Sequence, residues 1–346
     1  MHEEFSGGGI MAYTAIDDPE AYFQVKAYTG DGTTVSGGGL SVVLDGDTDM
    51  QPDMVWSKNR DDATGHRLVD SVRGVTKQIH PNNTNGEATD TEGLTAFNSD
   101  GFTVGNDDGW NTDGEKIVAW CWKETATAGF DMVSYTGSGS SQNVSHSLSA
   151  VPHLMIVKRY DGDGNYWVIY HHKNTSAPET DYLRLDTTVA TADAADRWDD
   201  TAPTSSVFTV KDSSQVNGSS NTYMNYLWSE KQGFSKFGSH IGNGNADGTF
   251  VYTGFRPAFI MTKNTARSDN WMIFDNKRLG YNVDNNFVFP NLANTEVDSD
   301  QIDILSNGFK CRTTNDAVNS SGEVTVYMAF AEAPFVNSKG VPCNAR

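Results

Sequence analysis

The chain has few basic residues and few cysteines. It contains 25 lysines and arginines against 45 aspartates and glutamates, which gives a formal net charge of −20. A phosphate backbone requires a basic footprint, so we do not expect the protein to bind nucleic acid or an anionic membrane surface. The three cysteines (Cys121, Cys311 and Cys343) are far apart and indicate neither a disulfide framework nor a paired metal-ligand spacing.

Long apolar runs and catalytic motifs are also missing. No apolar run approaches the ~18 residues that a membrane-spanning helix needs, so we expect no membrane insertion. The sequence lacks a Gly-x-Ser-x-Gly elbow, a Walker loop, a Cys-x-x-Cys pair and a His-Glu-x-x-His motif. Motifs do not decide against a glycosidase, whose two carboxylates need no fixed spacing in sequence.

Turn-forming and aromatic residues are abundant instead. The chain has 33 glycines, 17 phenylalanines, 13 tyrosines and 8 tryptophans. Glycine with many polar turn residues favours short strands joined by loops, and the aromatic rings indicate packed cores. This composition predicts an all-β protein with little helix.

A short segment recurs three times, at Pro52–Lys58, Pro152–Lys158 and Pro257–Lys263. Each copy has a proline, an apolar run, and a lysine six residues after the proline. This pattern predicts a central strand buried on both faces. We expect Lys58, Lys158 and Lys263 to end these strands and to snorkel or pair with a carboxylate. Their recurrence in every copy favours a structural role over a catalytic one.

Other landmarks recur with the same period. One strand signal is Gly101–Val104, Val207–Val210 and Gly308–Cys311, and an aromatic closing strand follows at Ala119–Glu124, Tyr226–Glu230 and Tyr327–Glu332. Upstream, Tyr28–Gly30 and Tyr135–Gly137 match, with Phe237–Ser239 as a weaker third copy. Three landmarks that recur in the same order establish an internal repeat. A repeated unit with no catalytic motif concentrated in one copy argues against a single active site, so we expect no enzyme.

The repeat predicts three tandem β-sandwich domains, jelly-roll or lectin-like, of about 105 residues each. The expected boundaries are 21–124, 125–230 and 231–332. Residues 1–20 are expected to form an N-terminal arm. Residues 333–346 are expected to form an extended C-terminal tail that crosses to a neighbouring subunit.

Two candidate binding features stand out. Asp161, Asp163 and Asn165 alternate oxygen ligands as a calcium loop does, and a glycine-rich hairpin turn is the alternative interpretation. No other metal or cofactor is expected. Trp110 and Trp198 lie among polar residues and are candidates for stacking on a sugar ring, with core packing or a subunit contact as the alternative.

The sequence also resembles a known group of proteins. Met11–Pro19, Tyr28–Gly30, Tyr135–Gly137, the Pro152–Lys158 segment and Phe208–Val210 together resemble repeated β-rich virion structural proteins of marine tailed bacteriophages. The resemblance implies a non-enzymatic virion protein, assembled in the host cytoplasm, that forms part of a tail fibre or appendage. Its implied roles are host adhesion or scaffolding, and it transfers no catalytic residues.

The same resemblance implies particular partners. They are other virion proteins, further copies of the chain in a homo-oligomer with a trimer favoured, and a glycan on the host surface. Two alternatives remain open: a capsid decoration protein on the head surface, and a glycan-binding or glycan-cleaving surface module.

Overall fold

The computed structural model describes residues 13–278, 282 and 286–343, and it confirms the all-β class with little helix. We refer to residues 21–124, 125–230 and 231–332 as the first, second and third repeats. The only α-helix among the described residues is the single turn α1 (Asp316–Asn319), and 3₁₀ turns lie at Pro19–Ala21, Val35–Gly37 and Pro178–Thr180. None of the described helices is long and apolar enough to cross a membrane.

The strands of the three repeats follow a common order. The first repeat contains β1 (Phe23–Thr29), β2 (Leu40–Val43), β3 (Met54–Asn59), β4 (Arg67–Asp70), β5 (Lys77–Gln78), β6 (Ala88–Thr89), β7 (Leu94–Asn98), β8 (Gly101–Val104) and β9 (Lys116–Trp122). The second contains β10 (Phe130–Thr136), β11 (Gln142–Ser145), β12 (Leu154–Arg159), β13 (Val168–His171), β14 (Asp181–Arg184), β15 (Ala192–Asp193), β16 (Val207–Val210) and β17 (Thr222–Trp228). The third contains β18 (Ser235–Ile241), β19 (Phe250–Tyr252), β20 (Phe255–Asn264), β21 (Met272–Asp275), β22 (Phe287–Val288), β23 (Ile302–Leu305), β24 (Gly308–Cys311) and β25 (Val324–Pro334).

Each repeat forms one large and one small antiparallel sheet. The large sheets have the orders β1-β9-β3-β4, β10-β17-β12-β13-β14-β15 and β18-β25-β20-β21-β22. The small sheets are β2-β8-β7, β11-β16 and β19-β24-β23, and β5 pairs with β6. The segment that recurs with proline and lysine is β3, β12 or β20, in the interior of its large sheet. Trp122, Trp228 and Phe330 occupy the same register on the neighbouring strand, opposite Met54, Leu154 and Phe259.

The large sheets are buried on both faces, which explains their continuous apolar strands. In β9, Ala119 and Cys121 point between the two sheets of the first repeat, whereas Trp120 and Trp122 point to the opposite face. That opposite face belongs to a core shared by all three repeats. The ring centroids of Trp122 and Trp228 lie 6.4 Å apart, and those of Trp122 and Phe330 lie 5.8 Å apart. The large sheets of the three repeats are therefore packed around one core. The division of the chain into three sandwich domains and the boundaries between them stay predictions.

The described ends of the chain pack on the third repeat. Residues 1–12 of the predicted arm lie outside the described residues, but Ala15 N donates to Gln232 O at 3.1 Å and Ser338 N donates to Asp17 Oδ1 at 2.7 Å. Residues 335–343, which lie within the predicted tail of 333–346, turn back on themselves, and the crossing to a neighbouring subunit stays a prediction. The amide of Asn337 organises a turn by accepting from Lys339 N and Val341 N, and Cys343 N then donates to Phe335 O at 2.9 Å.

The third copy of the Tyr-Thr-Gly element was predicted at the wrong residues. In register, the counterpart of Tyr28 and Tyr135 is His240, so the third copy is 240–242 and not 237–239. The side chain at this position donates a hydrogen bond to a backbone carbonyl in each repeat. Tyr28 Oη donates to Trp110 O at 2.8 Å, Tyr135 Oη to Val216 O at 2.6 Å, and His240 Nε2 to Val318 O at 2.9 Å.

Candidate functional site

The predicted calcium loop is a contact between repeats. Asp163 Oδ1 accepts from Gly86 N at 2.8 Å, and Asp161 pairs with Arg159 at 2.6 Å and accepts from Thr222 N at 2.9 Å. The Asn165 amide donates to Gly162 O and Asp163 O, both at 2.9 Å. These oxygens and amides are thus engaged in hydrogen bonds within the protein. In the part of the chain that the structure describes, no group of three or more His, Cys, Asp or Glu side chains is arranged to hold a metal ion.

Trp110 and Trp198 are core residues and offer no face to a sugar. Trp110 is 0% exposed, packs edge-on against Phe102 and donates its indole N–H to Gln78. Trp198 is 1% exposed, packs edge-on against Tyr170 and donates to Asp181 O at 3.0 Å. The sequence suggested exposure because their neighbours in sequence are polar, but contacts from distant strands bury both rings. We therefore do not retain them as glycan-stacking residues.

The three repeated lysines are fully buried, so they do not snorkel, and none of them forms an ion pair with a carboxylate among the residues that the structure describes. Their ammonium groups donate to backbone carbonyls of the following loop. Lys58 Nζ bonds Asp62 O at 2.9 Å, Lys158 Nζ bonds Asn165 O at 2.6 Å and Lys263 Nζ bonds Arg267 O at 3.0 Å. Burial lowers the pKa of each of these lysines from 10.5 to about 8. Their arrangement, which fixes a loop in every repeat, agrees with the structural role that we expected.

The loop that each lysine fixes carries a backbone contact to another repeat. The carbonyl two residues after each lysine accepts a backbone N–H in every case. Glu87 N donates to Tyr160 O at 2.8 Å, Thr191 N to Thr265 O at 2.9 Å, and Glu296 N to Arg60 O at 2.9 Å. The first repeat therefore donates to the second, the second to the third, and the third to the first. This is the cyclic order of a three-fold arrangement.

A second ring of contacts joins the same pairs of repeats through side chains, with the donors in the opposite cyclic order. Trp167, Trp271 and His66 precede the equivalent strands β13, β21 and β4. Trp167 Nε1 donates to His80 O at 3.0 Å, Trp271 Nε1 to Arg184 O at 2.8 Å, and His66 Nε2 to Phe289 O at 3.0 Å. Trp56 Nε1 donates to His66 Nδ1, which assigns the proton to Nε2. Burial, followed by the charge of Lys58, lowers the pKa of His66 well below its ordinary value, so the ring is neutral.

A third set of contacts uses the ends of those strands. Asp70 and Asp275 are buried, and each binds an arginine three residues later at 2.7 Å. Each also accepts from another repeat: Tyr226 Oη donates to Asp70 at 2.7 Å, and Trp120 Nε1 donates to Asp275 at 3.1 Å. In the second repeat His171 occupies this position, and its Nε2 donates to Tyr327 O at 3.1 Å. The position therefore binds a different repeat in all three cases.

Three buried asparagines were missed in the sequence. Asn111, Asn217 and Asn319 are 0% exposed, and each accepts from the residue after the first glycine of a Gly-x-Gly turn. The turns are 30–32, 137–139 and 242–244, and their second glycines have φ of +67°, +72° and +65°. A Cβ on the first glycine would lie 2.2 Å from a backbone carbonyl in every case. The Gly-x-Gly spacing, which recurs three times, is the signal that could have revealed this element.

The arrangement as a whole binds the repeats to one another through equivalent buried polar groups. One family model matches the chain, over residues 18–334, and its description is "Domain of unknown function (DUF7483)". The matched region includes all three repeats. A search of curated proteins finds no match.

Proposed function

Since this chain belongs to the DUF7483 family, whose function is unknown, we propose from its own features that it is a non-enzymatic structural protein of a phage virion. Its proposed place is a tail fibre or similar appendage, where it acts in host adhesion or scaffolding. Other virion proteins are its proposed partners, and its place of assembly is the host cytoplasm.

The main observation in support of this proposal is the cyclic set of backbone contacts between the repeats. Glu87–Tyr160, Thr191–Thr265 and Glu296–Arg60 join the three repeats in a closed order. A single chain with three-fold order can be seated on the axis of a trimeric shaft and contact each strand of the shaft in an equivalent way. The loops that differ between repeats then remain available for recognition. The resemblance to β-rich virion proteins supports the same role.

Labelling of intact particles tests the proposal. Antibody raised against the purified protein, with gold detection in electron microscopy, is expected to mark the tail or its appendages. Particles purified from infected cells that carry no label anywhere would contradict a virion role. Incubating the protein with host polysaccharide and measuring viscosity tests the non-enzymatic part, since a steady loss of viscosity would contradict it.

A capsid decoration protein is the second candidate, and the same three-fold order favours it. Icosahedral shells present local three-fold positions, which a chain with three equivalent sides could occupy. In this case the gold label would cover the capsid faces and be absent from the tail. Such a pattern would replace the appendage proposal.

A further inference from the structure

A cleft of about 190 Å³ lies where the second repeat meets the third. Its lining includes the ion pair between Glu230 and Lys236, whose Oε1 and Nζ are 2.8 Å apart, and the buried Ser235. The exposed rings of Tyr13 and Tyr252, 58% and 57% accessible, stand at the same cleft. The cleft thus combines aromatic faces with both a hydrogen-bond donor and an acceptor.

The corresponding junction between the third and first repeats is filled by the protein's own side chain. Gln24 occupies on β1 the register position that Lys236 occupies on β18. Its amide donates to Glu20 O and Thr48 O and accepts from Gly46 N, each at 2.9 Å. Only about 10 Å³ remains open there.

The junction between the first and second repeats is also occupied. Asp131, at the same register on β10, is 5% exposed and accepts from Ser147 N. Lys236 instead keeps 36% of its side chain exposed and pairs with Glu230. One position earlier, β18 has Ser235 where β10 has Phe130, so the third repeat carries a much smaller side chain beside its cleft.

The aromatic ring of Tyr252 is also particular to the third repeat. It lies on β19, next to the buried Val251, and the equivalent residues on β2 and β11 are Val43 and Ser145. The edge strand thus exposes a large aromatic ring beside the open cleft but a small side chain at the other two junctions. Exposed aromatic residues grouped at a cleft with converging polar groups mark a binding site.

We infer that this cleft binds a pyranose ring of a polysaccharide. One face of a pyranose is a layer of C–H groups that packs on an aromatic ring, and Tyr252 and Tyr13 provide such rings. Its hydroxyls both donate and accept, and the Glu230 carboxylate and the Lys236 ammonium group provide both functions.

The size of the cleft sets the stoichiometry and the affinity. Pockets for drug-sized ligands begin near ~300 Å³, so this cleft holds one sugar residue while the rest of the glycan remains in solvent. A ligand of that size binds with a Kd on the order of 1 mM. Several copies on one appendage raise the effective affinity.

A pyranose would be the ligand in the adhesion role that we proposed above. The binding itself does not depend on that role, which determines only where the saccharide comes from. The test therefore uses the purified full-length protein without particles. Saturation-transfer difference NMR is recorded with methyl α-glucoside, methyl β-galactoside, methyl α-mannoside and N-acetylglucosamine, each at about 10 mM so that a millimolar site is populated. At least one of them is expected to show saturation of its ring C–H protons.

Two variants place residues of the other repeats in the cleft. Tyr252→Ser introduces the residue of the second repeat, and Lys236→Gln introduces that of the first. Each is expected to weaken binding at least tenfold. Phe250→Asn is the matched control, because Phe250 is exposed on the same strand but does not line the cleft, and Asn143 is its counterpart on β11. It is expected to bind as the unaltered protein does.

Three results would overturn the inference. They are no saturation with any of the four sugars, equal saturation in Tyr252→Ser, and binding that emerges only after residues 1–12 are deleted, which would assign the cleft to the chain's own N-terminal segment. Thermal melting of each variant establishes that it is folded. If the protein binds a saccharide but is not detected on particles, the virion proposal alone is contradicted. A labelled tail without saccharide binding would sink this inference alone.

Discussion

At the scale of single residues, Asn225 is a buried polar group without a partner. It lies on β17, is 0% exposed, and neither its amide oxygen nor its amide nitrogen is hydrogen-bonded to another residue. The first repeat has Ala119 at the same register. An unsatisfied buried amide costs about 1–3 kcal/mol, and the small cavity left by its removal offsets part of that gain. We expect Asn225→Ala to raise the free energy of unfolding by about 1 kcal/mol in a urea titration. A loss of stability would contradict this account.

The buried lysines predict a rise in stability at alkaline pH. Burial lowers the pKa of Lys158 to about 8 in the folded protein, whereas an unfolded lysine keeps a pKa near 10.5. Between these values the unfolded chain binds more protons than the folded one, so stability increases as the pH rises. We expect Lys158→Met to reduce the rise between about pH 7.5 and 9.5 by about 2 kcal/mol, measured by urea unfolding at both values. Lys116→Met is the control, because that side chain is 62% exposed.

At the scale of elements, the Gly-x-Gly turns depend on the buried asparagines. Asn217 accepts from Ser138 N at 2.8 Å and donates to Ser140 O at 2.6 Å, so it joins the end of β10 to the loop before β17. Removing the amide leaves several buried backbone groups without partners. We expect Asn217→Ala to lower the free energy of unfolding by about 2–3 kcal/mol, read from chemical denaturation. Asn106→Ala, at an exposed position, is expected to change it by less than about 0.5 kcal/mol.

The contact of His172, the residue after β13, with the third repeat predicts sensitivity to acid. His172 Nε2 donates to Phe237 O, and burial lowers the pKa of His172 from 6.5 to about 4. His153 and His171 lie beside it, with Lys173, Lys236 and Glu230 as the nearby charges. Because the unfolded chain takes up the proton first, stability falls as the pH drops from about 6.5 to about 4. His172→Gln keeps a donor and is expected to remove about 2 kcal/mol of that loss. Melting curves at pH 7 and 4.5 measure it, and parallel losses in both proteins would contradict the assignment.

How much the sequence could predict also depends on the element. Strands such as β3 and β12 were predictable because proline, an apolar run and lysine recur at a fixed spacing. The shared core was not predictable, because the sequence does not indicate which residues an apolar side chain such as Trp122 packs against on the outer face of its own sheet. Trp110 and Trp198 show the same limit: neighbours in sequence are polar, but burial depends on strands far away in the chain. The third copy of the Tyr-Thr-Gly element was placed at the wrong residues because His240 replaces the tyrosine, although it forms the same hydrogen bond.

At the scale of the whole molecule, the shared core predicts one cooperative unit. In residues 125–230 expressed alone, Trp167 and Tyr226 would lose their partners in the first repeat, and Trp228 would lose its contact with Trp122. We expect this segment to lack near-ultraviolet circular dichroism, and the intact chain to unfold in a single transition with matching calorimetric and van't Hoff enthalpies. A cooperative melt of the isolated segment would show instead that a repeat is stable alone.

The closed order of the repeats has a consequence for how such a protein can diverge. A homotrimer encodes its three sides once, so every change in a loop appears three times. Here each repeat is encoded separately, so a residue can change in one repeat alone. Tyr252 exposes an aromatic ring in the third repeat, whereas the equivalent residues Val43 and Ser145 have small side chains. The contacts that join the repeats can therefore stay equivalent while the exposed side chains of the three repeats change independently.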